Sequence, residues 1–433
     1  MYVTKMNKQK NLSLNSHLVS HLHSHFNTQG ILMATRSVQL VCLLICSQAI
    51  IKTASAKVNE SFKQEKGIDH AYFVDRTIVQ NALSKGAVCL DGSPPAYHLD
   101  RGFGHGVRNW IILLSGGAWC RNITDCLNRS KTDLGSSKHM TPFIFLGIFS
   151  KSKSENPDFY NWNKVFVRYC DGGGFTGDIE SIDPATNLYF RGARIFDAVI
   201  EDLLAKGLKD AKNAILSGGS ANGYPAVLYC DRFHNLLHKA HRVKCLVDAG
   251  YFIHVKNPRL ANVFESLFRD VVTLHGSTKV LPKSCTSKMK PELCFFPENI
   301  QQDIKTPFFT VMSAFDSYQV DNIIGSNIGD CIRARNCTES QNNDFKELRS
   351  EFLSALPKPN DPKQRGAFID SFNRHTQLEL WWNKVNATPI SNLTTIEVFG
   401  DWYYDRKYSY VIDDHDLPLP VYLYINGTLK SRG

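Results

Sequence analysis

The sequence predicts an α/β fold: a mostly parallel central sheet flanked by helices and stapled by disulfides. Three observations carry this. Short apolar runs ending in glycine alternate with helical stretches along the chain. One of these runs leads into a serine set among small residues. Ten cysteines, an even number, follow residue 56. Strands alternating with helices imply parallel pairing and a sheet covered on both faces. Ligands of such a sheet gather at the carboxyl ends of its strands.

The elements come in chain order. Trp110–Leu114 (WIILL) is an apolar run ending at Gly116-Gly117 and predicts a buried strand. Val165–Tyr169 predicts a second, running into a glycine cluster. Arg191–Ala205 spaces Ile195, Val199, Leu203 and Leu204 at helical intervals. Ala214–Leu216 predicts a strand, then Ser217-Gly218-Gly219-Ser220 and a helical stretch to about His238. Leu246-Val247 and Phe308–Met312 predict further strands. Residues 327–366 are polar, charged and proline-containing, and predict a surface excursion, not a domain boundary. No repeat or long linker interrupts the chain, so 57–433 is expected to be a single domain.

The start of the chain is a separate matter. Residues 38–51 are apolar, Arg36 precedes them, and Ala54-Ser55-Ala56 comes after. This pattern predicts a secretory signal within an N-terminal extension, residues 1–56, with Met33 as a second candidate start. No apolar run reaches ~18 residues, so several membrane spans are excluded and no stable span is expected. The formal charge is +9; the five basic residues of 1–56 account for five of it, leaving +4. That is too little for a nucleic-acid binder, and no Lys/Arg run occurs. The ten later cysteines fit disulfides in an oxidising compartment. Cys120/Cys126, Cys285/Cys294 and Cys331/Cys337 lie close in sequence, leaving Cys89, Cys170, Cys230 and Cys245 for longer links. No C-x-x-C is present and the histidines are scattered, so no metal is expected. After residue 56, seven N-x-S/T sequons, at Asn59, Asn122, Asn128, Asn336, Asn386, Asn392 and Asn426, point to a glycosylated surface.

The chemistry is concentrated around Ser220. Strand, small residues, serine, small residues and helix make a nucleophile elbow of the G-x-S-x-G kind, with Gly218 in the first glycine position and Asn222 in the last. A serine nucleophile needs a base and an orienting acid, in the chain order Ser, Asp/Glu, His in this architecture. Asp316 comes after the strand Phe308–Met312, and His375 later still. An oxyanion hole needs converging amides; Gly117, Ala118 and Ala221 are the candidates. Gly172–Gly177 matches G-x-G-x-x-G, but the next residues, Asp178–Pro184, do not predict the helix a dinucleotide site requires, so no cofactor is expected.

The residues also resemble a known family. Cys89–His98, Leu114–Cys120, Arg168–Gly172, Tyr189–Gly192, the elbow, Asp248-Ala249-Gly250, Asp316-Ser317, His375-Thr376-Gln377 and Gly400–Tyr403 are similar to the motifs of plant pectin acetylesterases. Animal Notum esterases resemble it more distantly. The resemblance covers about residues 70–410. It implies an α/β-hydrolase-like fold and a secreted carboxylic ester hydrolase acting on acetylated pectin in the cell wall; a monomer is expected. It also implies Ser220, Asp316 and His375 as catalytic residues and Gly117 and Ala118 as oxyanion donors. The chain departs from the family pattern at several points. Gly219 and Asn222 replace Cys and Gly at the elbow, Phe372 and Thr376 stand at two Cys positions, and Ala118 replaces a glycine. Two other readings stay open: a pectin-binding wall protein without turnover, and an esterase for a different, Notum-like acyl substrate.

Overall fold

The computed structural model describes residues 71–361, 363–379, 393–425 and 428–431, with side chains as far as Val421. The expected signal segment, the boundary at residue 57, and Asn59, Asn386, Asn392 and Asn426 lie outside the described residues.

Nine strands form the main sheet: β1 (Arg76–Ile78), β2 (Ala96–Asp100), β3 (Asn109–Leu114), β4 (Asn163–Val167), β5 (Asn213–Gly219), β6 (Arg242–Asp248), β7 (Phe308–Ser313), β8 (Gly366–Asp370) and β9 (Tyr410–Ile412). Their spatial order is β9-β8-β7-β6-β5-β3-β4-β2-β1. From β9 to β4 every neighbouring pair is parallel; only β2 and β1 add on antiparallel. Two small antiparallel pairs lie outside this sheet, Tyr72–Val74 with Phe143–Phe145 and Tyr422–Ile425 with Thr428–Ser431.

The central strands are apolar on both faces because both faces are covered. Trp110, Ile112 and Leu114 of β3 enter one core, and Ile111 and Leu113 enter the other, as a two-residue side-chain period requires. The first core includes α1 (Gly192–Ala205), α2 (Gly223–Leu228), α3 (Cys230–Leu236) and α4 (Val263–His275). The opposite core is closed by the late helix Thr395–Tyr403 and by an aromatic cluster of Phe145, Phe149, Phe159 and Trp162.

Residues 327–366 differ from the expectation of a surface excursion. They hold α5 (Ile328–Ala334) and α6 (Glu339–Ala355), and α6 buries Phe345, Leu348 and Phe352 in the main core. A capping box between Thr338 and Gln341 starts α6. Three apolar residues at helical spacing suffice for one buried stripe, and a polar average composition conceals it. The expected helix after Ser220 is broken at Tyr229 into α2 and α3. The ten described cysteines form five disulfides: the three close pairs, plus Cys89–Cys170 and Cys230–Cys245.

Candidate active site

Five adjacent parallel strands deliver the site from their carboxyl ends. Gly116–Ala118 come after β3, Ser220 after β5, Asp248 ends β6, Asp316 comes after β7 and His375 after β8.

The turn at Ser220 is tight. Ser220 holds φ 51°, a left-handed conformation that costs a non-glycine residue on the order of 1–3 kcal/mol. The close approaches explain the surrounding small residues. A Cβ on Gly218 would collide with the Asn222 carbonyl, and one on Gly223 would lie 2.7 Å from the Gly250 Cα. A Cβ on Gly219 would meet nothing within 4 Å, so that position is free to vary. Asn222 has φ −103° and needs no left-handed tolerance. Its buried side chain donates from Nδ2 to the Ser115 carbonyl.

Ser220, His375 and Asp316 form one hydrogen-bonded chain. His375 Nε2 lies 2.7 Å from Ser220 Oγ, and His375 Nδ1 lies 2.7 Å from Asp316 Oδ2. Asp316 is fully buried, and its other oxygen accepts from the Gln319 amide at 3.1 Å, capping the helix Ser317–Ile323. Burial opposes charge on the His375 imidazole. The charge and hydrogen bond of Asp316, with the more distant charge of Asp248, outweigh that and raise its pKa above the ordinary value.

The turn after β3 lies against the serine: a Cβ on Gly116 would sit 2.7 Å from Ser220 Cβ. Gly117 has φ 141° and Ala118 φ 52°, so Ala118 accepts a conformation better suited to glycine. Arg129 Nη1 donates to the Gly117 carbonyl at 2.7 Å. Carbonyl and N–H of one trans peptide point opposite ways, so this contact also sets the direction of the Ala118 amide. The next residues are held by Cys120–Cys126 and by the Cys120 amide on the Gly172 carbonyl at 3.0 Å.

Sequence reasoning missed two residues that hold the site, Arg129 and Asp248. The buried Asp248 carboxylate accepts from the Gln377 amide at 2.8 and 3.0 Å and from the Leu378 amide at 3.2 Å. Burial pushes the Asp248 carboxyl well above the usual range, while these amides oppose the shift. Two further contacts hold the same loop: the buried Asp370–Arg374 ion pair and the Ser313 hydroxyl on the Phe372 carbonyl. This network anchors a loop that lacks cysteines at Phe372 and Thr376. Arg129 has no local signature; Asp248 stands in the Asp248-Ala249-Gly250 motif, but nothing in the sequence signals its hold on the Gln377 and Leu378 amides. The G-x-G-x-x-G segment is a loop, and the next long helix begins only at Gly192.

The sequence profile of a family described as Pectinacetylesterase matches residues 68–421. "Pectin acetylesterase 7" of Arabidopsis thaliana is 45% identical over 348 residues, covering 78% of this chain and 89% of that protein. "Pectin acetylesterase 11" of the same plant is 45% identical over 342 residues, covering 76% and 88%. "Palmitoleoyl-protein carboxylesterase notum1a" of Danio rerio is 32% identical over 253 residues, covering 54% and 50%.

Proposed function

The chain belongs to the pectinacetylesterase family, and from that premise we propose that it is a secreted serine esterase removing acetyl groups from cell-wall pectin. The observation that carries the proposal is the hydrogen-bonded chain Ser220–His375–Asp316 at the ends of parallel strands. Ser220 Oγ attacks the acetyl carbonyl and its proton passes to His375 Nε2. The developing oxyanion is received by the amides of Gly117, Ala118 and Ala221. The imidazolium then protonates the sugar oxygen, which leaves as a free hydroxyl, and Ser220 carries the acetyl group. Water attacks this ester with His375 as base; acetate departs and the proton returns to Ser220. Asp316 keeps the imidazole in the tautomer with its proton on Nδ1. No metal or organic cofactor takes part in these steps.

A small acyl group suits the surroundings. Trp119, Phe252, Phe264, Phe268 and Phe295 are buried and pack ring against ring, with Trp119 5.7 Å from Phe252 and 5.2 Å from Phe268. The Phe252 ring lies 6.5 Å from that of His375, so these aromatics fill apolar volume close to the reacting pair. Five disulfides, and exposed sequon asparagines at Asn122, Asn128 and Asn336, support an oxidising, extracellular setting.

The test is hydrolysis of aryl acetate, aryl octanoate and acetylated pectin by the secreted protein beside Ser220→Ala. Acetate release from pectin by the wild type alone supports the proposal. A folded wild type as inert as the mutant overturns it and leaves binding without turnover. Preference for the octanoate points instead to a longer acyl substrate.

A further inference from the structure

One cavity adjoins His375, and a second continues from it. The first, of about 360 Å³, is lined by His375 itself with Ser317, Asp321, Gly329, Arg333 and Asn373. The second, of about 330 Å³, shares Ile332 and Pro420 with the first and adds Arg335 and Asn342. Together they make a groove leading from the imidazole along α5. Each is at the small end of ligand-site volumes.

Its walls are fixed. The Cys331–Cys337 disulfide brackets both arginines. Arg333 pairs with the exposed Asp330 one turn earlier, which keeps its guanidinium near the surface. Asn373 is held at both ends: its amide donates to the Leu419 carbonyl at 2.9 Å and its Nδ2 to the Phe315 carbonyl at 3.1 Å. Gly329 leaves the floor open. A Cβ there would lie 3.2 Å from an Arg333 Nη1 and 3.8 Å from Asn373 Oδ1.

We propose that this groove is a subsite for the polymer, holding the uronate units beside the acetylated sugar, with Arg333 receiving a uronate carboxylate and Asp321 and Asn373 accepting sugar hydroxyls. The inference rests on the pectin esterase reading and specifies which face of the site the polymer follows. The planar guanidinium fork matches a carboxylate in two parallel hydrogen bonds. An acid and an amide oxygen in the same wall suit a ligand carrying hydroxyls as well as charge; a purely anionic ligand would be repelled by Asp321. The groove's position, with the His375 ring in its lining, sets a chain lying in it next to the reacting ester.

The experiment compares the wild-type protein with Arg333→Gln and Gly329→Ala on three substrates: acetylated oligogalacturonides, acetylated xylo-oligosaccharides and aryl acetate. Alanine favours helical backbone over glycine, so Gly329→Ala narrows the groove without opposing the fold. The expected result is a KM for the uronate substrate raised about tenfold more than that for aryl acetate in Arg333→Gln, the size expected for losing one charge-assisted hydrogen bond. Added salt should weaken the wild type toward the same value. Gly329→Ala should move the same ratio in the same direction. Equal changes on all three substrates, or none, overturn the groove assignment while leaving the esterase reading intact. A wild type that favours the neutral xylo-oligosaccharide overturns the uronate assignment. A wild type that cleaves aryl acetate but no oligogalacturonide overturns both readings.

Discussion

Asn222 donates its side-chain amide to the carbonyl of Ser115, joining the helical side of the serine turn to the end of β3. A residue that departs from the family pattern thus ties the serine turn to the turn after β3. Replacing it with glycine removes that bond and should cost about 1 kcal/mol, with esterase activity largely kept. Asn222→Asp sets a carboxylate against a carbonyl and should cost more of both. Thermal unfolding and aryl acetate turnover of the two variants check this; equal behaviour would mean the contact carries nothing.

Ser220→Ala should lower kcat on aryl acetate by ~10⁴-fold or more, with unfolding unchanged within error. Residual turnover close to wild type would place the nucleophile elsewhere.

The raised pKa of His375 sets the pH dependence. The imidazole acts as a base only when neutral, so activity should fall on acidification with a midpoint above the ordinary 6.5. Asp316 is the main cause of the rise and burial works against it. Asp316→Asn should therefore move the midpoint down and lower kcat by ~10⁴-fold. A profile of kcat/KM against pH decides; a midpoint that stays put or rises would contradict the assigned cause.

Asp248→Ala would leave the Gln377 and Leu378 amides buried without their acceptor. The expected loss is about 1–3 kcal/mol of stability, together with a lower kcat as the His375 loop loosens. Denaturant unfolding measures the first and turnover the second. An unchanged midpoint would show that the loop is held by Asp370–Arg374 and Ser313 without it.

Gly218 and Gly219 make a paired test. Gly218→Ala places a methyl into the Asn222 carbonyl and should abolish activity or folding; Gly219→Ala meets nothing within 4 Å and should retain both. Yield of soluble protein and aryl acetate turnover separate them, and equal tolerance would mean the turn can relax.

Much of this arrangement is local and therefore visible in the chain. The serine turn is a strand, a few small residues and a helix within about ten positions, and each central strand is a short apolar run, because a strand buried on both faces has no polar side to show. Ser220 and Asp316 are legible because each comes after such a run. The strand before His375, β8, is not foreseen in the sequence, and His375 is legible only from the chain order Ser, Asp, His. The edge strands β1 and β9 are three residues long and carry no such signal, and α6 hides one apolar stripe in a polar segment. What the tertiary structure alone decided is which distant groups meet. Asp248 reaches amides 129 and 130 residues away, and Asn222 reaches a carbonyl 107 residues away. Sequence periodicity records which side of an element is buried; it carries no record of partners that only the sheet order brings together.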